Sequence, residues 1–307
     1  MRSIVKLCTL LLSLGSAAFA IQPVRQEISP ELLDNFTRFS QYAAVTYCDQ
    51  NINATGRKLT CDFGNCDLIE KAETLTINTF QHHNANDPTG YLAVDKTNNL
   101  IILAFRGTAS RDDGLADINI GPVKVDDVCK DCYAHKGCWQ YWSTVADEVL
   151  PSIENVTATY PDYTLTVVGH SLGGGVATLG ATVLRNAGYD LDLYTFGSLK
   201  AGDYSLAEYI TEQSNRTYRV THDDDWVPKA PPYIPLLGLL HLDFSQPSPE
   251  YWIDKPTGKP VNTSDVKVIE GINSHEGVES TGDFLNFDMA AHDWYFGNLT
   301  VCSTYRV

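Results

Sequence analysis

The hydrophobic positions of the chain fall into segments of two different periods. Leu32, Phe36, Phe39, Tyr42, Ala43 and Val45 recur at the spacing of one helical face. Ser29-Pro30-Glu31 ahead of them supplies a side-chain cap, a first-turn proline and an acidic first turn. A second stripe, Trp142, Val145, Val149, Leu150 and Ile153, predicts a helix over 139–156. Between the two, strands are predicted at 73–80 and 91–95, followed by a polar turn at 95–99. The uninterrupted apolar run Leu100–Phe105 then reads as a strand buried on both faces. Strand-like runs return at 165–168, 191–196 and 217–222, and the apolar stretch 176–184 suits a helix. This alternation predicts an α/β protein: one mostly parallel central sheet with helices on both faces and no separate cap domain. No internal repeat, low-complexity tract or linker-like break interrupts it, so residues 27–307 are expected to form a single domain.

Between the 165–168 strand and the 176–184 helix stands Gly169-His170-Ser171-Leu172-Gly173. A Gly-x-Ser-x-Gly joining a strand to a helix is the setting of a nucleophile elbow, in which a sharp turn lifts the serine hydroxyl clear of the sheet. The helix N-terminus behind it suits a developing oxyanion. Chance alone would produce the pattern about 0.1 times in a chain of this length.

Composition narrows the class. With 307 residues, 43% hydrophobic and 20% charged, the chain is long enough for a large core. Residues 1–20 carry Arg2 and Lys6, an apolar stretch around Leu10–Leu14 and Ala18-Phe19-Ala20, the layout of a secretory signal. A short pro-segment is expected at 21–26, and a secreted, extracellular product follows. The signal's apolar stretch is too short to anchor in a membrane, and no other stretch reaches that length. Six N-x-[ST] sequons, at Asn35, Asn53, Asn155, Asn215, Asn262 and Asn298, are compatible with export and with a glycoprotein. A formal charge of −16 excludes nucleic acid and strongly anionic bilayers as partners, but not neutral lipid. Cys8 leaves with the signal, so seven of the eight cysteines remain. Cys61/Cys66 and Cys129/Cys132 are natural local staples in an oxidising compartment, and the odd number leaves one cysteine outside any simple scheme.

A serine hydroxyl is a poor nucleophile until a base takes its proton, and the base needs a carboxylate to orient it. In the strand order of α/β-hydrolases both follow the serine. Asp223, Asp224 and Asp225 stand just after the 217–222 strand, and beyond them the histidines are His241, His275 and His292. Spacing does not choose among the three. His170 and His222 read as buried, hydrogen-bonded framework. His82, His83 and His135 show no ligand spacing, so neither metal nor cofactor is expected.

The chain resembles the filamentous-fungal class 3 lipases from about residue 27 to 302. The resemblance is carried by 104–108 (Ala-Phe-Arg-Gly-Thr), 169–174, 221–228 (Thr-His-Asp-Asp-Asp-Trp-Val-Pro), Pro231-Pro232, Pro249-Glu250-Tyr251-Trp252 and 291–297 (Ala-His-Asp-Trp-Tyr-Phe-Gly). It implies Ser171, Asp225 and His292 as the catalytic set, with the backbone N–H groups of Thr108 and Leu172 as the oxyanion hole. It also implies the disulfide Cys48–Cys302 beside Cys61–Cys66 and Cys129–Cys132, leaving Cys138 over. The expected activity is hydrolysis of acylglycerol or other lipid esters at a lipid–water interface by a monomer; a feruloyl esterase, a phospholipase or a catalytically silent binder on the same fold are the alternatives. Two departures stand out. The common G-x-P-R-x-G is Gly197-Ser198-Leu199-Lys200-Ala201-Gly202, and the lid segment is polar, with Arg111, Asp112, Asp113 and Leu115 and with Gly114 where a tryptophan is common. Lipid adsorption is therefore expected through the apolar run Ile234, Leu236, Leu237, Leu239 and Leu240, with a weak interfacial jump.

Overall fold

The computed structural model describes residues 27–81, 89–108, 119–232, 243–282 and 289–304. Arg111, Asp112, Asp113 and Leu115 lie outside the described residues, as do Ile234, Leu236, Leu237, Leu239 and Leu240 and the histidines His82, His83 and His241.

Helix α1 (Pro30–Val45) begins where its signals place it, with the Ser29 hydroxyl accepting from the Leu32 N–H at 3.1 Å. A short helix α2 (Asp67–Lys71) follows the Cys61–Cys66 disulfide. Strands β1 (Thr74–Gln81), β2 (Thr89–Asp95) and β3 (Leu100–Phe105) pair antiparallel in sequence order. After β4 (Pro122–Lys124) and β5 (Tyr133–His135) come α3 (Lys136–Thr159), β6 (Thr164–His170) and α4 (Leu172–Asn186). The chain continues through β7 (Leu191–Phe196), β8 (Gly202–Asp203), α5 (Tyr204–Gln213) and β9 (Thr217–His222). It ends with β10 (Phe244–Ser245), β11 (Glu250–Ile253), β12 (Val266–Ile269) and a helical turn, Val301–Thr304.

The main sheet has the order β1-β2-β3-β6-β7-β9-β11-β12, with the five strands β3 to β11 of that row mutually parallel. Strand periodicity divides its side chains between two cores. Ile101, Leu103 and Phe105 of β3 join α3 and α4 on one face, while Leu100, Ile102 and Ala104 join α1 on the other. Along β7, Leu191 and Leu193 take the first face, Tyr194 and Phe196 the second. Burial on both faces explains why β3 reads as a continuous apolar run.

The helices extend past the sequence estimates. α3 starts before Trp139 because the His135 ring accepts from the Cys138 N–H at 3.4 Å and caps it. α4 starts at Leu172, immediately after the serine, because its glycines face crowded surroundings rather than forming a loop. A second sheet, β10-β8-β5-β4, is built from strands of two or three residues, too short to carry a readable period. The disulfides are Cys48–Cys302, Cys61–Cys66 and Cys129–Cys132, and Cys138 is a buried thiol whose ionisation burial pushes far up. Cys48–Cys302 spans 254 residues and ties the end of α1 to the last helical turn; in the chain-entropy view a loop of that length contributes on the order of 5 kcal/mol. Among the described residues no helix is long and apolar enough to cross a membrane.

Candidate active site

The parallel register aligns the C-terminal ends of four strands: Phe105 lies opposite Gly169, His170 opposite Phe196, and Phe196 opposite Val220. The segments leaving these ends are Arg106 to Thr108, Ser171, Gly197 and the three aspartates. Ligand sites of open α/β sheets form at this edge.

Ser171 has φ +59° and ψ −129°, a strained conformation for a residue with a side chain, and is held by its N–H donating to the Phe196 carbonyl at 3.0 Å. The turn is possible because of the bracketing glycines: a Cβ on Gly169 would overlap the Gly173 carbonyl, and one on Gly173 the Phe105 carbonyl. Leu172 opens α4, so its N–H is among those a helix leaves without an intrahelical partner. Thr108 is half-buried, and its hydroxyl has no hydrogen-bond partner among the described residues.

β9 ends at His222, and Asp223 turns the chain with φ +45°. Asp225 is thereby driven fully inside, where its carboxylate meets His292 Nδ1 at 2.9 and 3.0 Å. The same carboxylate accepts from the Tyr295 hydroxyl at 2.6 Å and the Val227 N–H at 2.9 Å. Burial works to raise the Asp225 pKa, but the charge of His292 and these donors outweigh it, so the group titrates below the usual carboxylate range. Burial and the facing carboxylate push the Tyr295 phenol far up, which keeps it a donor. With Nδ1 committed to Asp225, His292 keeps Nε2 for other work.

His170, the residue before Ser171, stacks beside His292 with ring centroids 4.6 Å apart. His170 Nε2 lies 2.9 Å from the His292 carbonyl, which has no proton to give, so Nε2 donates. His170 Nδ1 then accepts from the Tyr47 hydroxyl at 2.6 Å, and Tyr47 in turn accepts from the Gly107 N–H at 3.1 Å. One chain of hydrogen bonds thus links the segment before Thr108, the elbow and the backbone of His292. Burial, seconded by His292, holds the His170 pKa down to about 3, so the ring is neutral.

Of the sequence candidates, the structure gathers Thr108, His170, Ser171, Leu172, Asp225 and His292 at one edge of the sheet. His275 is exposed on a loop, and His135 serves the start of α3. Asp223 and Asp224 are half-buried, and the carboxylate on His292 is that of Asp225. Three site residues escaped the sequence reading: Tyr47, Tyr295 and Gly197. Gly197 has φ +55°, and a Cβ there would press on Asp225 Oδ2 at 2.7 Å and on His292 Nδ1 at 3.0 Å. Its signal was the glycine that opens the divergent 197–202 segment; Tyr295 lay within the quoted 291–297 motif, and Tyr47 carried no signal of its own.

The model of the class 3 lipases matches residues 102–234, and that of the lipase 3 N-terminal region matches residues 7–77. The secreted mono- and diacylglycerol lipase A of Penicillium cyclopium is 40% identical over 292 residues, covering 94% of this chain and 93% of that protein. The secreted mono- and diacylglycerol lipase 1 of Fusarium solani is 33% identical over 280 residues, covering 90% of this chain and 79% of that one. The crystal structure of the mono- and diacylglycerol lipase from Aspergillus oryzae superposes with a TM-score of 0.80 at 36% identity, covering 88% of this chain and 98% of that chain. A strained serine at the strand–helix turn, a buried His–Asp pair beside it and this extent of identity lead to one conclusion: the chain belongs to the class 3 lipase family.

Proposed function

We propose that the protein is a secreted acylglycerol lipase working through Ser171, His292 and Asp225. The observation that carries this reading is the Asp225–His292 pair, buried beside the elbow, with both carboxylate oxygens on Nδ1. His292 Nε2 takes the proton of Ser171 as its Oγ attacks the ester carbonyl carbon. The N–H groups of Thr108 and Leu172 receive the oxyanion, joined by the Thr108 hydroxyl, which has no partner among the described residues. When the tetrahedral intermediate collapses, the carbon–oxygen bond to the alcohol breaks and His292 hands the proton to the departing oxygen. Water then attacks the acyl-serine, giving one proton to His292, which returns it to Ser171 and frees the fatty acid.

Export is supported by the signal-like residues 1–20 and by the secreted relatives. Residues 21–26 then form the pro-segment and 27–307 the hydrolase domain. Because those relatives are named mono- and diacylglycerol lipases, partial acylglycerols are the substrates of choice, ahead of triacylglycerol, phosphatidylcholine or methyl ferulate. Ser171→Ala and His292→Ala should each lower kcat on a p-nitrophenyl ester by about 10⁴-fold or more. Wild-type turnover in either variant would remove the mechanism. A rate on methyl ferulate above that on diacylglycerol would move the protein to the esterases.

A further inference from the structure

His222 is the last residue of β9 and lies three positions before Asp225, fully buried. Its carbonyl accepts from the Asp225 N–H at 2.9 Å, but among the described residues its ring makes no hydrogen bond to Asp225 or Ser171. Its Nδ1 instead stands 2.9 Å from the carbonyl of Ala291, and since a carbonyl only accepts, the imidazole donates. The other nitrogen, Nε2, is buried with no hydrogen-bond partner among the described residues, so the ring makes this single polar contact. Its position is set by Trp294 at 4.9 Å and Tyr295 at 5.7 Å between ring centroids, and by backbone pairing in register with Ile253 of β11.

The Ala291 carbonyl belongs to the peptide plane on the N-terminal side of the His292 Cα. The His292 carbonyl, on the C-terminal side, accepts from His170. The two peptide planes that flank this one Cα are therefore each held by an imidazole N–H, from two different strands of the sheet. Asp225 orients the ring about its own bonds, but it cannot fix the direction in which the Cα–Cβ bond leaves the backbone. A tilt of roughly 15° at that bond swings the far ring nitrogen by about 1 Å, a misplacement that can lower a rate by about 10²-fold.

We propose that His222 is a positioning residue for proton transfer: its Nδ1–H on the Ala291 carbonyl aims the His292 ring at Ser171, opposite the matching contact from His170. The proposal rests on His292 being the general base. A purely structural role predicts that shape matters and the donor does not, and substitutions separate the two. His222→Phe keeps a ring between Trp294 and Tyr295 but removes the donor. His222→Asn loses the ring, while its amide nitrogen sits close to the Nδ1 position and keeps the donor. His222→Gln carries its amide nitrogen near the Nε2 position, away from Ala291, and stands in for Phe if that variant does not fold.

Each variant is assayed for kcat and KM on p-nitrophenyl butyrate and for Tm, beside Ser171→Ala and His292→Ala. The expected result is a kcat about 10- to 100-fold lower for Phe and Gln with KM changed by no more than about twofold, and recovery of most of the kcat in Asn although its Tm is lower than that of Phe. A wild-type kcat in Phe or Gln, or a kcat order that follows Tm instead of the donor, overturns the proposal. Failure of the underlying reading has a different signature, since Ser171→Ala and His292→Ala would then retain turnover themselves.

Discussion

The two faces of the main sheet are packed with different chemistry. Under α3 and α4 the core is largely aliphatic, with Val145, Val149, Ile153, Val167, Leu179 and Leu184. Under α1 it is aromatic, with Phe36, Phe39, Tyr42, Tyr91, Tyr194 and Tyr295. Three tyrosine hydroxyls there are committed: Tyr42 to Asp95 at 2.6 Å, Tyr91 to the Tyr42 carbonyl at 2.7 Å, and Tyr295 to Asp225 at 2.6 Å. Aliphatic contact is non-directional, so it seats the elbow helix on the sheet without dictating the angle of any one group. A buried hydrogen bond does dictate an angle, and leaving it unmade is expensive. The comparison teaches that one face supplies stability and the other supplies aim.

Leu184→Ala attacks the first face, nearly at the far end of α4 from Ser171. It should lower stability by about 2–5 kcal/mol in urea unfolding, while kcat of the folded fraction stays at the wild-type level. Tyr295→Phe attacks the second, removing one donor to a buried carboxylate while preserving the ring. We expect kcat to fall about tenfold, with a smaller loss of stability than in Leu184→Ala. If Tyr295→Phe instead lost as much stability as Leu184→Ala and no kcat, the division between the faces would collapse.

A third effect is shared by both faces. Burial holds His170, near the aromatic face, down to about 3, and His135, near the aliphatic one, down to about 4, against an ordinary value of 6.5. Between those values the unfolded chain binds protons that the folded chain refuses, so stability is fully present above about pH 6.5 and is lost progressively as pH falls toward 4. Urea midpoints measured from pH 7.5 to 4.5 should therefore decline on acidification. Replacing either histidine with glutamine should flatten the decline, and an undiminished slope in both variants would show that neither imidazole contributes.

Local features were legible wherever the physics is local. The Ser29-Pro30 cap, the apolar run of β3 and the glycine-bracketed serine each write their structure into neighbouring residues, and the fold class follows from their alternation. The pairing of acid and base was not legible from spacing: three aspartates and three histidines stood open, and only the resemblance to a family of lipases singled out Asp225 and His292. The two-residue strands of the second sheet offered no period to read.

What the sequence determined by itself is therefore the set of elements and the chemistry placed at one strand end: a serine that must turn sharply, aspartates after the next strand but one, and histidines downstream. The tertiary structure decided which of these groups meet and how they point. His292 reaches Asp225 across 67 positions, Tyr47 reaches His170 across 123 and His222 reaches Ala291 across 69. Contacts over such separations exist only once two cores have fixed α1, β9 and the 289–300 segment against the same sheet. A hydrogen bond's strength depends on distance and angle, and periodicity along a chain carries neither.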